Sequence, residues 1–156
     1  MSSSSNIPRL FLFIGSRGTG KSTAIRKMFL PRNTEVWDYQ DEYHGYTSIF
    51  NSDIEETFEY ISSQSHKDFI IEEASIWFNS RSKLKPEMKM TLISLRHSKV
   101  SIAFVFHSLL EIPEELISLA DMIIQFRTGD RPGPVKRKYA GEDRIVTGKH
   151  KGNGNL

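Results

Sequence analysis

The chain contains no cysteine, which excludes disulfides, a thiolate nucleophile and cysteine-based zinc sites. That absence fits a reducing compartment. Long hydrophobic runs are also missing. None exceeds five residues, as in Leu10–Ile14, whereas a membrane span takes about 20 apolar residues and a secretory signal an apolar stretch of about 7–15 near the start. A soluble, unsecreted chain without a transmembrane segment is expected. Net charge is nearly absent as well: 21 Lys+Arg against 19 Asp+Glu leave +2, a balance that alone does not call for a nucleic-acid partner. The average hides a split, because segment 127–156 carries eight basic and three acidic residues, +5, and leaves the rest at −3.

What is present is an ordinary globular composition. The 156 residues are 38% hydrophobic and 11% aromatic, enough for one packed core and too short a chain for two lobes. Disorder over most of the chain is excluded. The expected layout is a flexible polar lead over residues 1–8, a single core over 9–127, and a basic extension over 128–156 within the same domain. In the core, β-branched or aromatic runs at Leu10–Ile14, Glu35–Tyr39, Asp68–Glu72, Ser101–His107 and Met122–Arg127 alternate with helical patterns. That rhythm signals crossover units and a parallel sheet. Helix starts are marked by Ser52-Asp-Ile-Glu55, read as a capping box, and by Pro86 and Pro113 at first-turn positions. Past Arg127, two further extended runs, Val135–Ala140 and Arg144–Thr147, flank Gly141-Glu-Asp and read as an antiparallel hairpin appended to the core.

The strongest motif is Gly15-Ser16-Arg17-Gly18-Thr19-Gly20-Lys21-Ser22. It meets G-x-x-x-x-G-K-[ST] at every fixed position, after a predicted strand and ahead of a predicted helix over Ser22–Phe29. Glycines let backbone N–H groups approach phosphate oxygens closely, and the helix start, with Thr23 in its first turn, adds donors and a favourable dipole. Lys21 would reach the β- and γ-phosphates of ATP, and the Ser22 hydroxyl would bind Mg²⁺. The alternative is a glycine-rich turn that matches by accident, expected in on the order of 1% of chains this size.

Phosphoryl transfer also needs an acid near the metal and, for hydrolysis, a base that orients water. Phe69-Ile70-Ile71-Glu72-Glu73 ends a predicted strand in two acids, where open α/β sheets bind ligands. Glu72 is assigned to Mg²⁺ through its water shell and Glu73 to the attacking water. The other reading is an acidic start to a helix running through Ala74-Ser-Ile-Trp-Phe78. The strand Ser101–Phe106 ends in His107. If that strand lies between the phosphate-loop strand and the Glu72 strand, His107 faces the γ-phosphate and can report hydrolysis; otherwise it is a strand-end histidine bonded to a loop carbonyl. His97 and His107 as a metal pair lack an obvious third ligand.

In this order the segments resemble the FtsK/HerA superfamily of ring-forming DNA-pumping ATPases, which includes the genome-packaging ATPases of membrane-containing viruses. The resemblance spans about Leu10 to Arg127. It rests on the phosphate loop, on Val36-Trp-Asp38-Tyr-Gln-Asp-Glu42-Tyr43, on Leu95-Arg96-His-Ser-Lys-Val100 with its following apolar strand, and on Ile112-Pro113 through Arg127. It implies a RecA-like (ASCE) P-loop NTPase of the α/β class: a three-layer sandwich whose mostly parallel sheet has order 5-1-4-3-2. It also implies a sensor at His107, where the family usually has glutamine, and ATP sites at subunit interfaces of a homo-oligomeric ring such as a hexamer. A neighbouring subunit would supply an arginine, with Arg96 and Arg127 as candidates and Arg81 behind them; each could instead be a solvated surface arginine.

The function expected on this basis is Mg²⁺-dependent ATP hydrolysis driving DNA translocation, most simply viral genome packaging at a capsid or virion-membrane vertex or in the host cytoplasm. Sequence-independent contact with nucleic acid would fall to Arg81-Ser-Lys83-Leu-Lys85 and the basic extension, unless these face solvent or a partner protein. The Glu-Glu-Ala and Arg-His segments are also similar to Zot-like assembly ATPases of filamentous phages. A small-molecule kinase is a further reading, weakened by Glu73 and by the lack of a clear arginine-bearing lid. So is a nucleotide-gated assembly protein with little turnover.

Overall fold

The computed structural model describes residues 7–16, 19–49, 53–126, 135–139 and 142–146, the last two segments by backbone alone. Five apolar strands form its centre: β1 (Leu10–Ile14), β2 (Thr34–Trp37), β4 (Asp68–Ile71), β5 (Ser101–Phe106) and β6 (Met122–Gln125). Between them lie α1 (Lys21–Met28), the two-residue strand β3 (Thr47–Ser48), α2 (Ile54–Ser62), α3 (Pro86–Ile93), α4 (Leu95–Ser98) and α5 (Glu114–Leu119). β7 (Val135–Tyr139) and β8 (Glu142–Val146) follow. The sheet order is β3-β2-β4-β5-β1-β6-β7-β8. Its first six strands are parallel, and the five long ones run β6-β1-β5-β4-β2, the expected 5-1-4-3-2.

Parallel strands covered on both faces need side chains that are apolar throughout. All residues of β1, β2 and β5 are buried, Thr34, Glu35 and Ser101 being the polar ones among them. Alternation along each strand sorts them into two layers. Phe11 and Phe13 meet Ala24 and Ile25 of α1 and Phe29 on one face. Leu10, Leu12, Ile14 and Phe104 meet Phe58, Met88, Leu92, Leu95 and Leu116, carried by α2 to α5, on the other. Helix, sheet and helix thus form the expected three layers.

The differences from expectation have local causes. Glu72 and His107 fall just past β4 and β5, and Arg127 lies outside the described residues. The cap of α2 is Asp53, whose carboxylate accepts the N–H groups of Glu55 and Glu56; Ser52 is not among the described residues. Pro86 opens α3 as expected, whereas Pro113 is the residue before the first turn of α5. The exposed strand β3 carries no apolar signal and pairs with the sheet edge at β2. The hairpin also departs from expectation: it is not merely appended, because β7 pairs antiparallel with β6 and prolongs the central sheet.

At the amino-terminal ends of the strands, the Asp121 carboxylate accepts the N–H groups of Arg9 (2.7 Å) and Leu10 (3.0 Å). Arg96 reaches the same aspartate at 3.1 Å and donates to the Ile7 carbonyl at 2.8 Å. Arg96 therefore sits a full strand, about 16 Å, from the end of β1 that carries the phosphate loop. Asp68 lies on this edge beside Asn33, Ser101 and Arg9; burial raises its carboxyl above the ordinary 3.8 despite those three partners. A carboxyl with a raised folded-state value favours the folded chain at low pH, and that contribution is lost as pH rises through the raised value. Asp68→Asn is therefore expected to be more stable than the native chain at about pH 7, with the gap closing near pH 3. Urea midpoints across that range check this; a pH-independent gap would contradict it.

Candidate functional site

The strand order brings Gly15–Ser22, Glu72-Glu73 and His107 to one place, the carboxyl ends of β1, β4 and β5, where parallel α/β sheets bind ligands. The Gly15 N–H donates to the Phe106 carbonyl at 3.1 Å. A Cβ on Gly15 would lie 2.9 Å from Thr19 Oγ1 and 3.0 Å from Phe126 Cβ, so a larger residue there would have to displace those side chains. Thr19 donates its hydroxyl to the Ser16 carbonyl at 2.8 Å. Gly20, at φ 86°, makes the left-handed turn into α1. Lys21 is buried and folds back along the loop to donate to the Gly15 carbonyl at 2.5 Å. Ser22 and Thr23 occupy the first turn of α1, Thr23 exposed. Arg17 and Gly18 lie outside the described residues.

Glu72 is 7% exposed. Its N–H donates to the Trp37 carbonyl, and its carboxylate accepts the Tyr43 hydroxyl at 2.6 Å. Burial raises its carboxyl above the ordinary range, opposed by the Tyr43 hydrogen bond and the Lys21 charge and reinforced by Glu73 and Glu42. Such a group gains from an added cation. Burial, followed by the Glu72 charge, raises the pKa of the same Tyr43 hydroxyl strongly. The Ser22 hydroxyl and the Glu72 carboxylate are hard oxygen donors of the kind that suits Mg²⁺. Among the described residues no three His, Cys, Asp or Glu side chains cluster as metal ligands. His97 and His107 lie beyond opposite ends of β5, which keeps them from forming a pair.

Glu73 adopts φ 54° at the start of the 3₁₀ turn Ala74–Ile76 and makes no side-chain cap there. Its two carboxylate oxygens instead meet His107 Nε2 at 3.1 and 3.0 Å. A carboxylate only accepts, so this contact requires the proton on Nε2. β5 does lie between β1 and β4, and the His107 ring bonds the neighbouring strand's acid. The His107 N–H donates to Glu111 Oε1 at 3.1 Å. A cavity of about 260 Å³ lies between His107, Gly15, Ser16, Gln125 and Phe126.

The other basic candidates are dispersed. Arg96 is held at the opposite edge of the sheet, Arg81 and Lys83 are exposed, and Lys85 is paired with Glu55. Arg127 and most of the basic extension fall outside the described residues. Sequence reasoning missed Tyr43 as a site residue, together with the device that holds it. The Asp38 carboxylate accepts the N–H groups of Glu42 (2.9 Å) and Tyr43 (2.8 Å). Arg26 lies 4.7 Å over the Tyr43 ring and donates to the Glu42 carbonyl. The signal was the aspartate followed by acidic and aromatic residues after β2, but its target lies 29 residues on.

Gly20→Ala keeps the motif's charges and forces a side chain into the left-handed region, so it should lower stability by about 1–2 kcal/mol. The denaturant midpoint measures this, and an unchanged midpoint would mean the turn is not required.

No family model and no curated protein matches the sequence. Solved structures do. The genome packaging NTPase B204 from Sulfolobus turreted icosahedral virus 2, in complex with ATP-gammaS, has a TM-score of 0.70 at 14% identity, covering 90% of this chain and 97% of that one. The N-terminal domain of zonular occludens toxin from Neisseria meningitidis gives 0.63 at 16%, over 94% and 97%. The cytoplasmic domain of the Thermomonospora curvata type VII secretion ATPase EccC gives 0.55 at 12%, over 93% of this chain and 24% of that one. The chain has the P-loop NTPase α/β fold that these structures share.

Proposed function

We propose that the protein is a Mg²⁺-dependent ATPase that works as an oligomeric DNA translocase, packaging a viral genome. The observation that carries the hydrolytic part is the Glu73–His107 contact beside the phosphate loop. A carboxylate gripped on one side by an imidazole and only partly exposed is fixed in direction and can accept a proton from a water aligned on the γ-phosphate. In this reading Gly15 to Thr23 hold the triphosphate. Lys21 swings from the Gly15 carbonyl to the β- and γ-phosphates, and Ser22 and Glu72 hold Mg²⁺. Bound there, the metal would neutralise charge on the phosphates. His107 responds when Glu73 changes partner, and its N–H bond to Glu111 passes that change to the segment after β5.

The motor part draws on likeness to the packaging NTPase. A homo-oligomeric ring such as a hexamer would bring an arginine from a neighbouring subunit to each site. Arg127, directly after the cavity-lining Phe126, and Arg81 are favoured over Arg96, which is engaged elsewhere. DNA would be held without sequence reading by Arg81, Lys83 and the basic extension. The working location would be the virion packaging vertex or the host cytoplasm, against a capsid or membrane vertex protein. Likeness to the zonular occludens toxin domain favours a second reading, an assembly or export ATPase whose turnover ignores DNA.

Lys21→Ala should abolish both nucleotide binding and turnover. Glu73→Gln should keep binding and lose turnover by about 10²–10⁴-fold; a native rate in that variant refutes the base assignment. Stimulation of ATPase rate by DNA, weakening steeply between low and high salt, supports the motor, whereas a DNA-indifferent rate supports the second reading.

A further inference from the structure

Between α2 and α3 lies a groove of about 700 Å³, away from the phosphate loop. It is lined by the buried Phe58 and Met88 and by Met90, which is 65% exposed. Ile93, three residues on from Met90, is exposed as well, so α3 is apolar on its outer side as on its inner. Methionine adapts its shape to whatever packs against it. Glu55, Glu59, Glu87 and Lys85 share the lining, and three carboxylates against one ammonium leave −2. Lys85 pairs with Glu55, whereas the carboxylates of Glu59 and Glu87 are exposed and have no ion-pair partner among the described residues. Such a groove suits a slender segment with two cations on one side. Residues 147–156, Thr-Gly-Lys-His-Lys-Gly-Asn-Gly-Asn-Leu, have that composition: Lys149 and Lys151 give +2 with no acid, and three glycines add no bulk. Residues two apart share one side of an extended chain, and lysine stems lie along apolar surface while their ammonium groups stay in water. Within one molecule the two do not meet. The Phe58 ring stacks on Phe104 of β5, and β8 lies four strands from β5, about 19 Å away. Lys149 follows Val146, the last residue of β8, by three residues, about 11 Å at full stretch, and stops short of the groove.

We propose that the groove between α2 and α3 receives residues 147–156 of a second copy of this chain, with Lys149 and Lys151 set against Glu59 and Glu87. Groove and segment are different surfaces, so the contact is heterologous: repeated from copy to copy it runs head to tail, and it closes into a ring or grows as a chain. The inference rests on the oligomeric part of the reading above, for which it names a contact, and is independent of the ATP chemistry. It assigns Lys149 and Lys151 to protein, and leaves DNA to Arg81, Lys83 and the basic residues ahead of Thr147.

Sedimentation of the full chain over a range of protein concentrations at low salt reads this contact. The native chain should assemble. The double variant Lys149→Glu with Lys151→Glu should need about tenfold more protein for half assembly, because two ion pairs are lost and repulsion replaces them. Glu59→Lys with Glu87→Lys should have the same effect, and the chain carrying all four changes should assemble as the native one does. That exchange of signs separates pairing across the contact from a general effect of charge. Glu87 lies in the first turn of α3, so its reversal also opposes the helix dipole. If that variant does not fold, the double variant in residues 147–156 reads the contact without touching the helix, and unchanged assembly there overturns the inference. Assembly indifferent to both reversals means that another occupant, or none, fills the groove; it overturns the inference and leaves the oligomeric reading standing. A native chain that stays monomeric at every concentration overturns both.

Discussion

Strand β1 is hydrogen-bonded to β5 on one side and β6 on the other, with all five of its side chains buried. That double pairing is the constraint on which the site depends. It delivers Gly15 to the sheet's edge, where its N–H takes the last carbonyl of β5, and the Phe126 N–H takes the carbonyl of Ile14. A loop pinned at its root on both flanks has little freedom left. Thr19 and Phe126 crowd the first glycine, and the left-handed turn at Gly20 leads directly into α1, whose first N–H groups have no partner within the helix. Loop chemistry is local, but the direction in which it points comes from the sheet.

The same sheet order arranges the acids by neighbourhood. β5 is inserted between β1 and β4, so the residue following β5 reaches sideways to the residue following β4, and His107 meets Glu73. Consecutive residues Glu72 and Glu73 then take different environments. Glu72 faces inward to Tyr43 and the Lys21 charge. Glu73, with a left-handed backbone, turns to the more exposed His107. Two like charges on adjacent residues are separated in role because one is desolvated and the other paired. This division is what a metal-holding acid and a water-orienting base require.

At the opposite end, Asp121 gathers the starts of β1 and β6 and fixes Arg96. The molecule therefore has a structural edge and a chemical edge, and the charged residues of the two do not exchange roles. Arg96 stood among the candidate site residues because its segment matches a family pattern; its position follows from α4 leading into the amino-terminal end of β5. Parallel topology makes such an assignment a matter of which end of a strand a residue precedes.

Much of this was legible in the sequence. The five long strands, the phosphate loop and its helix, and the acidic end of β4 all follow from short-range patterns: continuous apolar runs, a motif with fixed spacing, and polar residues where a run stops; the strand order was expected only from the family resemblance. These are dictated within a few residues, because backbone conformation and burial of a strand are local consequences of side-chain type. The pairing of β3 with the edge, the attachment of the hairpin to β6, the Glu73–His107 contact, the retention of Arg96 by Asp121 and the Tyr43–Glu72 hydrogen bond were decided only by the tertiary structure. Each joins segments far apart in the chain, 34 residues for Glu73 and His107 and 29 for Tyr43 and Glu72. No local spacing encodes such a meeting; it exists because the apolar strands, in burying both faces, could stack in one order, and the polar residues at their ends were carried to whatever that order placed beside them.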